Sequence, residues 1–215
     1  MTDPTTAPSP DVDKAQRSRD PAFWETLYQR EETGWDLGGP SPVLEAALGL
    51  GFYPPGSRIL VPGAGRGHDA LLLAAQGHDV TAIDFSASAV AAMRSAASER
   101  RLPLRVEACD LFTLRDRPAG SFDGAFEYTC FVAIDPALRE AYVALLTHLL
   151  RPGGRLLFLA FPLGKTTPGP PHGLTLDELR ERFGARWRWV LDGETSVSPD
   201  ARREHERWVL LERNP

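Results

Sequence analysis

The sequence predicts an α/β protein built on a doubly wound, mostly parallel sheet, and three observations predict it. From residue 58 onward, short apolar runs alternate with stretches of helical pattern. The first run, Ile59-Leu60-Val61-Pro62, breaks into Gly63-Ala64-Gly65-Arg66-Gly67 and then enters a helical pattern at His68-Asp69. The second run, Val80-Thr81-Ala82-Ile83, closes on an acid, Asp84. Strand, glycine turn, helix, strand and acid is how an α/β protein builds a nucleoside pocket.

The elements follow in order. Residues 1–19 are polar and rich in Pro, Thr and Asp, and are expected to form a disordered tail ahead of a single domain over residues 20–215. Asp20-Pro21 pairs an N-cap acid with proline at the first helical position, so a helix is expected over Ala22–Arg30, with Phe23, Trp24, Leu27 and Tyr28 on one face. A Gly-rich turn from Gly34 to Pro40 follows, and Ser41-Pro42 starts a second helix by the same chemistry, running to about Gly49. Arg58–Val61 reads as a strand and His68–Gln76 as a helix stopped by Gly77. Asp79–Ile83 is a strand, Ser86 caps a helix to about Glu99, and Leu104–Ala108 is a strand leading into a polar loop. Phe122–Tyr128 is a strand, Asp135-Pro136 opens a helix to about Leu150, and Arg155–Ala160 is a strand after a Pro-Gly-Gly turn. Thr175-Leu176-Asp177-Glu178 is a capping box for a helix to Phe183. Trp187–Leu191 and Arg207–Leu211 are the final strands.

Bulk properties narrow the function classes. At 215 residues the chain is long enough for a substantial core. A formal charge of -5 offers no electrostatic footprint for nucleic acid, so no nucleic-acid partner is expected. Arg100-Arg101 and Arg202-Arg203 read as solvated faces. Two cysteines, Cys109 and Cys130, make neither a disulfide framework nor a metal-ligand pattern, so no metal is expected. Without a signal pattern or an apolar run near the ~18 residues of a membrane span, the chain is expected to be cytoplasmic, with no membrane partner. It is expected to be a monomer that acts on a small molecule.

Two cofactor classes share the opening signature. Dinucleotide enzymes want G-x-G-x-x-G/A, where the last small residue lets helix pack on strand. Here the spacing is G-x-G-x-G, and His68 occupies that last position. The tighter spacing suits S-adenosyl-L-methionine, which has no phosphate. Gly63 and Gly65 would let backbone approach its amino-acid tail, and Asp84 would accept from the ribose hydroxyls. Glu107-Ala108-Cys109-Asp110-Leu111 ends the third strand with an acid, where contacts around an adenine ring belong. Each acid has a plainer use as a helix or turn cap. Leu149-Leu150-Arg151-Pro152-Gly153-Gly154-Arg155-Leu156 resembles the late helix-to-strand turn of class I methyltransferases.

Four motifs narrow this further. The first is Trp24, Tyr28 and Gly34-Trp35-Asp36-Leu37-Gly38-Gly39-Pro40-Ser41-Pro42. The second is Leu60 to Asp69 with Asp84-Phe85-Ser86. The third is Phe122-Asp123 with Glu127-Tyr128-Thr129-Cys130-Phe131-Val132-Ala133-Ile134-Asp135-Pro136 and Arg139. The fourth is Phe161-Pro162-Leu163 with Gly169-Pro170-Pro171-His172. In this order the chain resembles the thiopurine S-methyltransferase family with its thiol and halide methyltransferase relatives, a class I, Rossmann-like group. The resemblance implies an N-terminal helix and Trp-Asp loop covering the cofactor. It implies Trp24, Tyr28 and Trp35 on the methionine and sulfonium side, Gly63 and Gly65 at the tail, Asp84 at the ribose, and Asp110 with Leu111 at the adenine. Tyr128 would stand near the transferring methyl, Arg139 would contact the acceptor, and His172 would lie over the acceptor pocket. Relatives often carry Trp at Tyr28, Pro at Gly34, and Tyr or Phe at His172.

The chemistry is consistent with this. A sulfonium is a permanent cation, drawn to an aromatic face by ~0.5–2 kcal/mol. Trp24 and Tyr28 also suit plain core packing, whereas Trp35 sits in a turn. A thiol is already a few per cent thiolate at neutral pH, so in-line displacement needs no dedicated base. Cys130 beside Tyr128 suits a small apolar core position better than a nucleophile. The expected function is S-adenosylmethionine-dependent methyl transfer to a soft nucleophile: a small thiol or thiopurine, with halide or chalcogen open. The alternatives are a nicotinamide-dependent oxidoreductase and a non-catalytic S-adenosylmethionine sensor.

Overall fold

The central apolar runs have two faces to bury. In β1 (Arg58–Pro62) every residue after Arg58 is buried. Ile59 and Val61 join one hydrophobic cluster and Leu60 the other. β2 (Asp79–Asp84) repeats the division, with Val80 and Ala82 on one side and Ile83 on the other. Side chains alternate across a pleated strand, so a strand that is apolar throughout needs cover on both faces.

The computed structural model describes residues 17–194 and 196–215, and the expectation of disorder for residues 1–16 lies outside them. Five strands are parallel: β3 (Leu104–Ala108), β2, β1, β4 (Phe122–Tyr128) and β5 (Leu150–Ala160). β7 (Arg207–Arg213) runs antiparallel to β5 on one side and to β6 (Trp187–Gly193) on the other. The order is β3-β2-β1-β4-β5-β7-β6. Chain order reverses between β1 and β4, and the crevice at their carboxyl ends is where such sheets bind ligands.

Helices α1 (Pro21–Gln29), α2 (Pro42–Gly49), α3 (His68–Ala75) and α4 (Ala87–Glu99) precede β3. α5 (Cys130–Ala133), α6 (Arg139–Leu149), α7 (Leu176–Phe183) and α8 (Asp200–Arg203) follow β4. Val43 and Leu44 of α2, Ala70 and Leu73 of α3 and Met93 of α4 fill one layer. Tyr142, Val143 and Leu146 of α6, with Leu179 and Phe183 of α7, fill the other.

The predicted caps hold at Asp20, Ser86 and Thr175, which accept from the N–H groups of Ala22, Ala89 and Glu178. Gly77 follows α3 in the left-handed region at φ +84°. Ser41 departs from expectation. Its hydroxyl makes no cap bond, and its N–H donates to Asp69 Oδ1 at 2.7 Å, which holds the start of α2 on α3. Asp135 caps a short 3-10 turn (Pro136–Leu138) before α6 begins. The expected loop after β3 contains a 3-10 helix (Leu111–Asp116). The Pro-Gly-Gly segment is an irregularity inside β5, whose pairing steps from Phe122–Leu150 to Gly124–Arg155. The last residues assigned to the tail are tied down: Ser18 is buried and accepts from the Trp24 indole at 2.8 Å, and Arg19 pairs with Asp135. Among the described residues no helix is long and apolar enough to cross a membrane.

Candidate active site

The site forms where β1, β2 and β4 end. Gly65 and Gly67 turn the chain from β1 into α3 with φ of +56° and +81°. Neither has room for a side chain. A Cβ on Gly65 would stand 2.8 Å from the Tyr28 hydroxyl, and one on Gly67 would stand 2.4 Å from Met93 Cγ. The first contact lays α1 against the loop; the second seats the start of α3 on α4.

Asp84 ends β2 beneath this loop. Its Oδ2 accepts the Gly65 N–H at 2.8 Å and its Oδ1 accepts that of Ser86 at 2.9 Å. Burial raises its pKa, and these backbone bonds oppose the rise. Each oxygen keeps an acceptor site beyond the backbone bond.

The N-terminal cover is fixed at three points. Glu25 of α1 reaches the first turn of α4, where its carboxylate accepts from the Ser86 hydroxyl (2.7 Å), the Ser88 N–H (3.0 Å) and the Ser88 hydroxyl (2.5 Å). These bonds, the Ser88 hydroxyl first, lower its pKa to about 2. Asp36 of the Trp-Asp loop takes Arg66 Nη1 at 2.7 Å and stands 3.1 Å from His68 Nε2. His68 first, then Arg66 and the Gly38 N–H, hold the Asp36 carboxyl well below the usual carboxylate range against its burial. His68 thus stands against the cover where a dinucleotide loop would need a small residue. The third point is Arg202 of α8. It donates to the Trp35 carbonyl at 2.7 Å and the Tyr128 hydroxyl at 2.5 Å, and stacks on Phe161 at 4.8 Å.

The aromatic residues cluster. Trp35 meets Trp24 and Tyr28 edge-on, at 5.4 and 5.5 Å between ring centroids. Its indole N–H donates to the Tyr28 hydroxyl at 3.3 Å. Burial, then the Asp84 charge, raises the Tyr28 pKa.

A cavity of about 660 Å³ opens beneath them, within the ~300–1,000 Å³ usual for small-molecule sites. Of the residues singled out from sequence, Trp24, Tyr28, Trp35, Gly63, Asp84 and Leu111 border it. Phe85, Cys109, Ala133, Ile134, Phe161 and Pro168–Pro171 complete a mostly apolar wall. A second cavity of about 60 Å³ lies under the Trp-Asp loop and is bordered by Gly65, Asp69, Phe126 and Tyr128. Trp35, Gly63 and Thr129 border both.

Four expected residues sit elsewhere or otherwise. Asp110 borders neither cavity; its carboxylate caps the Phe112 N–H at 2.9 Å, while its neighbours Cys109 and Leu111 line the wall. Tyr128 faces the smaller cavity, and its hydroxyl is held between Arg202 and Glu206. Arg139 corrects the expectation of an acceptor contact. It is 2% exposed, ion-paired with Glu178 at 2.9 Å and stacked on Phe131 at 4.7 Å. Its guanidinium also donates to the carbonyls of His172 and Gly173. His172 follows Pro168–Pro171 in the chain, donates its N–H to the Val132 carbonyl at 2.7 Å and does not border the cavity. Burial first, then the Arg139 charge, lowers its pKa.

Sequence reading missed Glu25, Glu127, Arg202 and Glu206. Glu25 and Arg202 are charged residues in ordinary helical contexts whose partners are distant in the chain, and the local sequence around Glu127 and Glu206 does not reveal their burial. Glu127 is fully buried below the site. Its Oε1 accepts the Phe131 N–H at 2.8 Å, its Oε2 accepts the Tyr142 hydroxyl, and burial pushes its pKa up to about 7. Cys130 is buried and its pKa is raised by that burial, which suits the apolar role expected of it.

The family described as Thiopurine S-methyltransferase matches residues 19–213. A "Probable thiol methyltransferase 2" of Arabidopsis thaliana is 34% identical over 183 residues, covering 82% of this chain and 79% of the relative. A "Thiopurine S-methyltransferase" of Azotobacter vinelandii is 29% identical over 211 residues, covering 89% and 91%. The crystal structure of 1,6-didemethyltoxoflavin-N1-methyltransferase from Burkholderia thailandensis, with S-adenosylhomocysteine bound, is 24% identical with a TM-score of 0.69, covering 100% of this chain and 94% of that one. That last likeness is one of fold.

Proposed function

The chain belongs to the thiopurine S-methyltransferase family, and from that premise we propose that it methylates the sulfur of a small thiol or thiopurine. It is an S-adenosyl-L-methionine-dependent methyltransferase of the class I fold; the sulfur acceptor is the proposed part. When bound, the cofactor supplies an electrophilic methyl group on a sulfonium centre.

The residues fit that cofactor. The cavity has ample volume, and the Asp84 carboxylate has acceptor sites left for ribose hydroxyls. Gly63 borders both cavities and Gly65 the smaller one, which puts their backbone within reach of the amino-acid tail, and the Trp24–Trp35–Tyr28 cluster offers aromatic faces to a cation. Phe85 and Leu111 offer apolar contact to the adenine, a role that Asp110, turned to its cap, supports only through its backbone position. A pyrophosphate fits less well, because His68 and Asp36 join the cover to the loop where it would lie.

The observation that carries the sulfur reading is the character of the larger wall. Its described lining includes two carboxylates, Asp84, whose oxygens accept backbone N–H groups, and Glu32, which is exposed, while most of the remaining wall is apolar. Such a site can align a nucleophile that arrives ionised and exclude water around it, which suits a thiolate and disfavours an alcohol. Initial rates with thiophenol, phenol and aniline test this. The thiol is expected to be methylated and the other two left unreacted at neutral pH. Equal turnover of phenol would show that a base is present, and the sulfur reading would fail.

A further inference from the structure

Thr129 stands at the turn from β4 into α5, and it alone of the side chains on the β4 side borders both cavities, opposite Trp35 and Gly63. Its backbone is left-handed, with φ +70° and ψ -13°. For a β-branched residue that conformation is a true outlier, because the second γ atom crowds the backbone. Strain of this kind persists only where the surroundings impose it, and it gathers at functional sites.

The surroundings are visible. A threonine ahead of a helix ordinarily turns its hydroxyl onto the helix's own N–H groups. Thr129 makes no such bond. Glu127, two residues upstream, takes the Phe131 N–H instead, and Tyr142 fixes the other oxygen of that carboxylate. The cap is therefore supplied from β4, and the Thr129 hydroxyl has no hydrogen-bond partner among the described residues. The two indoles on the cavity wall are committed, the Trp24 N–H to the Ser18 carbonyl and the Trp35 N–H to the Tyr28 hydroxyl.

We propose that the Thr129 hydroxyl is the hydrogen-bond donor that receives the acceptor's sulfur, lowering the pKa of the bound thiol and aligning its lone pair for in-line attack. The proposal rests on the sulfur reading above. The bound thiol first loses its proton to solvent; the thiolate's electron pair then forms the new carbon–sulfur bond, the pair of the broken bond stays with the departing donor sulfur, and the hydroxyl keeps its own proton throughout. The strained turn, clamped by Glu127, keeps the hydroxyl at the junction and away from the helix end.

The test compares Thr129→Val, Thr129→Gly and Thr129→Ser. Valine keeps the branch and removes the hydroxyl; glycine removes the hydroxyl and the strain together; serine keeps the hydroxyl. The first readout is the thiolate absorbance of an aryl thiol titrated in the dead-end complex with S-adenosylhomocysteine. The second is the pH profile of kcat, which reports the bound state. A hydrogen bond to the charged form lowers a pKa, so its loss raises the ionisation midpoint of the bound thiol by about one unit or more. Valine and glycine are both expected to shift that midpoint upward and to lower kcat/KM roughly 10- to 100-fold. S-adenosylhomocysteine affinity should stay within about threefold in both, and serine should recover most of the loss. A glycine variant with the wild-type midpoint and rate would overturn the proposal, as would equal losses in serine and valine. If wild-type protein methylates no thiol, the sulfur reading fails first and takes this proposal with it.

Discussion

Arg202→Met removes the guanidinium that joins the C-terminal segment to the cover while keeping most of the apolar stem. Two hydrogen bonds from a charged donor are lost, to the Trp35 carbonyl and the Tyr128 hydroxyl. Each such bond is worth about 1.5–3 kcal/mol, and stacking on Phe161 and Tyr128 adds about 0.5–2 kcal/mol. Arg202 is 5% exposed, so solvent replaces little of this, while the methionine regains part through packing. The substitution also takes the positive charge from a network holding Glu206, which is fully buried and bonded to the Tyr128 and Ser198 hydroxyls. We expect a net destabilisation of about 2–4 kcal/mol, a large share of the 5–15 kcal/mol typical of a domain. Released from its anchor, the Trp35 loop should bind cofactor about tenfold more weakly. Urea unfolding and calorimetry with S-adenosylhomocysteine measure the two effects, and a cycle with Tyr128→Phe should show coupling of about 0.5–3 kcal/mol. Stability within about 0.5 kcal/mol of wild type, with unchanged affinity, would refute the anchor.

Three further outcomes are expected. Asp84→Ala should weaken cofactor binding by about 1.5–3 kcal/mol and lower the apo melting temperature as well, since Gly65 and Ser86 lose their acceptor; an unchanged dissociation constant would mean the ribose is held elsewhere. The Glu25 carboxylate is held near pKa 2, below its usual value, so its latch is intact above about pH 4.5 and is lost as pH falls toward 2. Glu25→Gln should abolish that acid step in Trp24 and Trp35 fluorescence, and an identical transition in the variant would assign it to another group. Glu127, raised to about 7, and Asp69, raised to about 6, act in the opposite sense. The contribution of Asp69 is full below about pH 3.8 and lost as pH rises through about 6, and that of Glu127 is full below about pH 4.5 and lost as pH rises through about 7. Glu127→Gln should flatten the upper part of that decline in urea unfolding, and an undiminished slope would show that Glu127 does not titrate there.

Much of the fold was legible because its elements carry strong local signals. β1 and β2 are unbroken apolar runs, α1, α4 and α7 announce themselves through Asp20, Ser86 and Thr175, and Gly77 stops α3. α5 was not legible, since four residues have no period, and neither was the 3-10 turn after Asp110. Within the site, the glycine loop, Asp84 and Trp35 stood out because turns and strand ends constrain residue type. The residues that hold those parts together did not. Arg202 lies 167 positions from Trp35 and 74 from Tyr128, and Glu25 lies 61 from Ser86. The Arg202-Arg203 pair on a short helix reads as a solvated face, and the fold corrects that for Arg202, which it buries against its partners. Arg139 fails in the reverse direction: a motif position suggested an acceptor contact, while packing on Phe131 and pairing with Glu178 draw it into the core.

Transfer of a methyl group from S-adenosyl-L-methionine to sulfur in this cleft is tested by one mass spectrum, taken after cofactor labelled with three deuterons on the methyl is mixed with the purified protein and an aryl thiol. The expected product is a thioether carrying the intact labelled methyl, together with one equivalent of S-adenosylhomocysteine. Labelled methyl on carbon, nitrogen or oxygen of the acceptor, or bound cofactor that persists without product across thiol, halide and chalcogen acceptors, would contradict it.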